Sequence, residues 1–475
     1  MYAPVRLGYA PTRRFVFSKE DAHKYKDLIR EHIGRYGIEI VDLEGINEEG
    51  LLYDSDADAD KIIRRFREAE VDAVFFPHCN FGTENTVARV AKAVGKPVLL
   101  WGPRDEDPLP DGFRLRDTQC GLFATGKVLR RFNVPFTYIV NSEVDSLVFD
   151  RGFKNFLAAA NVVKAVRSLR ILQIAPRPAG FWTMICNEGE LLEKFGIETY
   201  PVTLIDVQNL TLSIEKSDRP DLQAVIDLIQ SSLDCSEVET AAIRRVAALK
   251  IAMLELTVRH GCSAVAIQCW EALQESIGIM PCLANALLTD EGIPVACETD
   301  IHGAVTSVMA QAAAMGVTAP FFADLTIRHP HNDNGELLFH CGNFPVSLVA
   351  AGCRPKFRKH FLFDGHAPGT HESEIKGGDI SIVRFDGDHG EYRLFLGRAK
   401  GIEGPYSRGT YVWVEVNDWP MWEEKLVKGP YVHHCVGIHA DVIPVLYEAC
   451  RYIPGLVPDA VDPDEAGIQA WLRGR

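Results

Sequence analysis

The stretch SAVAIQCWEALQESIGIMPCLANALLTDEGIPVACETDIHGAVTSVM, residues 263–309, reads as strand, helix, strand, helix. AVAIQC and PVAC are short apolar runs with no alternation, while 280–288 and 301–315 carry apolar residues at helical spacing. Strands that are apolar on both faces and joined through helices belong to a parallel sheet covered on both sides.

Working outward, LRILQIA from Leu169, IETYPVTLI from Ile197 and the helical region 237–258 continue the same βα alternation. PFFADLTI (320–327) and ELLFHCG (336–342) are expected to extend or close that sheet. The first 165 residues repeat the pattern with VRLGYA, IEIVDLE, VDAVFF, PVLLW and FTYIV. Between them lie amphipathic stretches such as KIIRRFREA, which puts Ile62, Ile63 and Phe66 on one face. After residue 350 the texture changes. GDISIVRFDG, EYRLFLGRAKG and TYVWVEV alternate with a period of two, as antiparallel strands do, and a helix is expected over 442–452. The expected class is α/β: two Rossmann-like, doubly wound parallel-sheet domains (1–166 and 167–350) followed by a small β-barrel-like C-terminal domain (351–475).

Composition narrows the function. The chain of 475 residues is 47% hydrophobic and 24% charged, which fits a globular enzyme and excludes disordered or fibrous classes. Its 50 basic and 65 acidic residues give a net charge of −15, which repels phosphate backbones and argues against nucleic acid as a partner. No apolar run approaches a membrane span, and the N-terminus lacks the features of a signal peptide. The 12 cysteines are scattered singly with no CxxC pair, so a reducing cytoplasm is expected. GxGxxG after the first strand, GxxxxGK[ST] and GxSxG are all absent. That removes nicotinamide binding, P-loop chemistry and the usual α/β-hydrolases from first place.

Ligands of open α/β sheets bind beyond the carboxyl ends of the strands. AVAIQC runs into Trp270-Glu271, and PVAC runs into Glu298-Thr299-Asp300. If the two strands are neighbours about 4.8 Å apart, Glu271 and Asp300 (or Glu298) converge. Such a carboxylate pair needs a cation or a shared proton, and a divalent metal is the obvious compensator. A plainer reading makes each acid a helix N-cap, a role that suits Asp300 well. Of 15 histidines, 12 lie at or beyond His260, and the tightest group is His433-His434 with His439 nearby. Imidazole with two carboxylates makes a mixed N/O metal site. His329, His331 and His340 are a rival source of imidazole. In the first domain the loop 77–84, which carries His78 and Phe81, is the most pocket-like.

The order of these features resembles the L-fucose isomerase / L-arabinose isomerase superfamily over most of the chain. FGTENTVARVAKAVGKPVLLWG, RILQIAPRPAGFW, AVAIQCWE…LLTDEGIPVACETDIHGAVTSVM, GDISIVRFDG…EYRLFLGRAKG and GPYVHHCVGIHAD carry the resemblance. It implies an aldose–ketose isomerase acting on a pentose or 6-deoxyhexose through a cis-enediol, with Mn²⁺, or another divalent cation such as Co²⁺ or Mg²⁺, polarising the sugar oxygens. It also implies Glu271, Asp300 and His434 (less surely His433) as metal ligands, with Glu271 and Asp300 as the acid/base pair. Trp270 and His302 depart from the family pattern and would line the sugar pocket together with His433, and Trp182 could wall it. The family implies a homo-oligomer, trimer or hexamer, in which His78 and Phe81 of one chain could reach the neighbour's Glu271. Two alternatives stand beside this reading. One is a metal-dependent epimerase or other enolising enzyme on a modified sugar or sugar acid; the other is a non-catalytic sugar-binding protein.

Overall fold

The computed structural model describes residues 5–362 and 367–475. The chain forms two compact units, one built from Tyr2–Lys164, Tyr447–Ile453 and Ala466–Arg475, the other from Ala165–Leu446 and Pro454–Glu465.

The first unit holds a five-stranded parallel sheet in the order β2-β1-β3-β4-β5. Its strands are β1 (Arg6–Tyr9), β2 (Glu39–Val41), β3 (Ala73–Pro77), β4 (Val98–Trp101) and β5 (Thr137–Tyr138). β3 and β4 are buried at every residue, which is why they carry no polar alternation. The helix Asp56–Glu68 lays Ile62 and Phe66 on this sheet. Phe66 leaves no room for a side chain at Gly8, whose Cβ would lie 3.0 Å from the ring.

The second unit contains a four-stranded parallel sheet and a barrel. The sheet runs β7-β6-β8-β9, with β6 (Arg170–Ile174), β7 (Glu198–Val202), β8 (Ala264–Ile267) and β9 (Val295–Cys297). The long helix Thr240–Arg259 packs Val246, Leu249 and Met253 into one core with Leu172, Val265 and Ile267. The barrel uses β10 (Phe321–Arg328), β11 (Gly335–His340), β14 (Asp379–Asp388), β15 (Glu391–Ile402), β16 (Thr410–Glu415) and β17 (His434–Ile438). These six pair antiparallel in the circular order β16-β11-β10-β17-β14-β15 and back to β16, a closed barrel without a free edge. The hairpin partner β12 (Lys356–Lys359) joins through β13 (Pro368–Glu374) to β16, and β18 (Leu456–Asp462) pairs with β15. Phe321, Leu338, Ile382, Phe395, Val412 and Trp422 fill its core.

The α/β class and the C-terminal barrel are as the sequence led one to expect. One element differs. PFFADLTI and ELLFHCG do not extend the parallel sheet; they are β10 and β11, an antiparallel pair in the barrel wall. The first three residues of β10 are buried, as in a parallel strand, so only its pairing partners reveal its place. Among the described residues no helix is long and apolar enough to cross a membrane.

Candidate metal centre

The carboxyl edge of the sheet β7-β6-β8-β9 is under backbone strain. Among the described residues eight non-glycines have positive φ, and four of them, Ala175 (62°), Glu271 (65°), Glu298 (60°) and Thr299 (55°), follow β6, β8 and β9. Such conformations cost on the order of 1–3 kcal/mol each and cluster at functional sites. Neighbouring strands hold them in place. Thr299 N–H donates to Ile267 O at 3.0 Å, Gln268 N–H to Ile174 O at 3.0 Å, and Ala175 N–H to Val202 O at 3.1 Å. The Thr299 hydroxyl donates to Pro176 O at 3.2 Å, tying the turn after β9 to the loop after β6.

This turn delivers Glu298, 5% exposed, to His434, 1% exposed, at the start of β17. His434 Nε2 lies 2.8 Å from Glu298 Oε2 and 3.4 Å from Asp324 Oδ1, while its Nδ1 is hydrogen-bonded to Asp300 Oδ2 at 2.9 Å. Asp324 sits directly across from His434 in the antiparallel pairing of β10 with β17. Despite their burial, Glu298 Oε2, His434 Nε2 and Asp324 Oδ1 make no hydrogen bond of proper geometry. With Nδ1–H directed at Asp300, either a second proton on Nε2 or a cation in its place has to meet the carboxylate oxygens of Glu298 and Asp324. That arrangement asks for a positive centre between them. Ligand atoms of Glu298, His433 and His434 lie within 4.8 Å of one another, a mixed N/O set of the kind that suits a divalent cation. Burial alone would raise the Glu298 carboxyl, yet the His434 imidazole holds it below its ordinary value. Burial opposes the charge on His434, but Asp300 and Glu298 outweigh it and push the imidazole up to about 9.

Asp300 is engaged on both oxygens. Oδ1 accepts from Gly303 N–H at 2.8 Å, capping the helix Ile301–Ala313, and from Arg384 Nη2 at 3.1 Å. Oδ2 is shared between Arg384 Nη1 and His434 Nδ1. Burial would raise this carboxyl; the Arg384 guanidinium and His434 hold it far below the carboxylate range. Asp300 thus caps a helix, the plainer of the two earlier readings, and bonds the His434 imidazole; it is not among the side chains gathered as metal ligands.

The other residues singled out in the sequence are spread more widely. Glu271 is exposed at the start of the helix Ala272–Ile277 and is not among the gathered side chains. Trp270 is half-buried and meets Phe181 edge-on at 4.8 Å, joining the loops after β8 and β6. Trp182 is 76% exposed in the short turn Trp182–Met184. His302 is buried, with Nδ1 2.9 Å from Asp386 Oδ1. His433 is exposed beside His434, their ring centres 4.3 Å apart. In the other unit His78 is fully buried against the Thr125 hydroxyl at 2.8 Å, and burial pushes its imidazole down to about 4. Phe81 stacks on Phe17 at 5.6 Å beneath the Arg14 guanidinium. Of the rival histidines, His340 is buried in the barrel near His434 (ring centres 6.4 Å apart), whereas His331 is exposed.

Asp324, Arg384 and Asp386 were not singled out from the sequence. A signal existed for two of them. In SIVRFDG the pair Arg384 and Asp386 sits at i, i+2, on one face of an otherwise apolar strand.

Residues 8–167 match the family described as "Fucose/sulfoquinovose isomerase, N-terminal domain". Among curated relatives, a sulfoquinovose isomerase of Alkalicoccus urumqiensis is 25% identical over 387 residues, covering 80% of this chain and 84% of its own. One from Priestia aryabhattai is 24% identical over 397 residues, covering 81% and 84%. Among solved structures, a periplasmic solute-binding protein from Actinobacillus succinogenes with bound D-allose aligns over 57% of this chain and 80% of its own, at 13% identity and a TM-score of 0.17.

Proposed function

We propose, from the premise that the chain is a member of the fucose isomerase-like superfamily, that it is an aldose–ketose isomerase, dependent on a divalent metal and acting on a modified sugar. The observation that carries the metal dependence is the gathering of Glu298, His433 and His434, with His434 Nε2 2.8 Å from Glu298 Oε2 and 3.4 Å from Asp324 Oδ1. Curated relatives named sulfoquinovose isomerase shift the substrate from a plain pentose or 6-deoxyhexose toward a sulfonated sugar.

Glu298 and His434, with His433 at the rim, would hold the ion, Mn²⁺ by the family resemblance. When bound, it supplies Lewis-acid polarisation of the sugar's carbonyl and hydroxyl oxygens. Asp300 accepts the Nδ1 proton of His434 and keeps Nε2 free to ligate. Glu271 follows β8, the strand directly beside β9, where Ile267 pairs with Cys297. Its carboxylate would take the proton from C2 and return it to C1 of the cis-enediol, while the hydroxyl proton passes from O2 to O1. Trp270 and Phe181, in edge-on contact, form an apolar wall for the sugar face. A cytoplasmic setting, which rests on the singly scattered cysteines, and a homo-oligomer, which rests on the resemblance, complete the reading.

The test is proton exchange followed by NMR. Protein stripped of metal and reloaded with Mn²⁺ is incubated in D₂O with sulfoquinovose, L-fucose, D-arabinose and L-arabinose. Mn²⁺-dependent deuterium at C2, with ketose appearing, is the expected result, and Glu298→Gln abolishes it. Deuterium exchange without ketose moves the assignment to an epimerase. Absence of exchange with every sugar, despite bound Mn²⁺, overturns the isomerase.

A further inference from the structure

Two buried imidazoles are held from a single guanidinium. His434 Nδ1 bonds Asp300 Oδ2 at 2.9 Å, and Asp300 is gripped by Arg384 through both terminal nitrogens. Arg384 Nε donates to Asp386 Oδ2 at 2.8 Å, and Asp386 Oδ1 lies 2.9 Å from His302 Nδ1. All five side chains are buried, Asp386 being the most exposed at 8%.

Stability does not call for such a chain. Buried ion pairs of this kind are often replaceable by apolar residues at no loss, because desolvation offsets the attraction. Direction is what the chain supplies. An imidazole tied at one nitrogen keeps its orientation only if the group it is tied to is fixed, and Asp300 is fixed from three sides. Gly303 N–H holds Oδ1, Arg384 spans both oxygens, and a Cβ at Gly303 would lie 2.6 Å from Oδ2, so the carboxylate fills the space there. The far end is anchored as firmly. Thr306 Oγ1 donates to His302 O at 2.6 Å and accepts from Phe385 N–H at 2.9 Å, stitching the helix to β14. The His302 ring stands edge-on to Phe385 and Tyr392.

We infer that Asp386 and His302 are positioning residues for His434. Acting through Arg384 and Asp300, they hold the His434 ring with Nε2 toward Glu298 and so set the affinity of that pair for a divalent cation. The inference rests on the metal-dependent reading above. Loss of an outer partner of a metal-binding histidine typically weakens metal binding 10–100-fold.

The experiment uses the full-length protein. Mn²⁺ affinity by titration, the visible spectrum at saturating Co²⁺ and the thermal melt are measured for wild type, Asp386→Asn, His302→Gln and, as reference, Glu298→Gln. Asp386→Asn, two links beyond the direct partner Asp300, is expected to bind Mn²⁺ several-fold more weakly, less than the roughly 10–100-fold loss of a direct partner, and to shift the Co²⁺ bands while still melting cooperatively. His302→Gln moves both readouts in the same direction by less. A mere loss of stability would not alter the Co²⁺ bands at saturation. Wild-type affinity and spectrum in Asp386→Asn and His302→Gln, with binding lost in Glu298→Gln, overturns the positioning role and leaves the metal reading standing. If Asp386→Asn does not fold, His302→Gln decides by the same two readouts. Failure of the wild type to bind either ion overturns both.

Discussion

Arg384 is the residue whose removal makes the sharpest energetic prediction. It is 1% exposed and faces two carboxylates, Asp300 and Asp386, themselves 2% and 8% exposed. Arg384→Met strands both charges. Breaking a buried pair costs about 3–5 kcal/mol. The lower end applies here, about 3 kcal/mol, because Asp300 keeps Gly303 N–H and His434, and Asp386 keeps His302 and Gly387 N–H. Adding Asp386→Asn to Arg384→Met removes one stranded charge. The double variant is therefore less destabilised than the two singles summed, by about 1–2 kcal/mol within the range seen for contacting residues. The assay is urea unfolding followed by tryptophan fluorescence, to which Trp413 and Trp422, both buried in the barrel, contribute. Single-variant costs that add to within about 0.5 kcal/mol, or an Arg384→Met cost under about 1 kcal/mol, would refute the clamp.

Gly82 has φ +82°, and a Cβ there would lie 2.4 Å from His78 Cδ2; Gly82→Ala is expected to lower the stability of its unit by at least about 1–2 kcal/mol, measured as a urea midpoint. Burial pushes the Glu336 carboxyl up to about 7, with Arg328 opposing. The folded state therefore holds that proton more tightly than the unfolded chain, so stability should fall as pH rises from about 4.3 to about 7 and level off above. Glu336→Gln should flatten that slope in melts taken across the window. Mn²⁺ at 100 times its dissociation constant should stabilise the wild type by about 2.7 kcal/mol and Glu298→Gln not at all, read from thermal melts with and without the ion. Among the described residues Arg177 donates to the Pro178 and Ala179 carbonyls of its own loop, the loop that Thr299 ties to the turn carrying Glu298. If the substrate is the proposed sulfonated sugar and Arg177 meets its sulfonate, Arg177→Gln should raise KM for sulfoquinovose roughly tenfold or more, the worth of a charge-assisted hydrogen bond, with neutral-sugar turnover unchanged; an unchanged KM refutes that contact.

The strands were legible wherever burial leaves a mark on composition. AVAI and VAC are apolar because helices cover both faces, whereas β14 is buried on both sides of the barrel wall from Ile380 to Gly387, and its polar Ser381, Arg384 and Asp386 are hydrogen-bonded there. β10 defeated the same logic, since FFA is buried whichever sheet it joins. At the site, the cluster after β9 and the His433-His434 pair stood out, but their division of labour did not. Glu298 and Asp300 are two residues apart, and only the left-handed turn at Glu298 and Thr299 decides which faces the His434 Nε2 and which the Nδ1. Asp324 was invisible for another reason. Its place beside His434 is set by the register of β10 against β17, a pairing between residues 110 apart in the chain (434 minus 324).

The left-handed backbone at Ala175, Glu298 and Thr299 has a consequence for anyone altering this protein. Glycine at any of these positions would relieve the conformational penalty. A screen that rewarded heat resistance alone should therefore favour Ala175→Gly, whereas Thr299→Gly would also give up the hydroxyl bond to Pro176 O. Ala175→Gly would loosen the loop to which the Glu298 turn is tied, so the same screen would drift toward hardier but slower proteins. The tension in that turn works as a bowstring does: slackened, the frame lasts longer and no longer shoots.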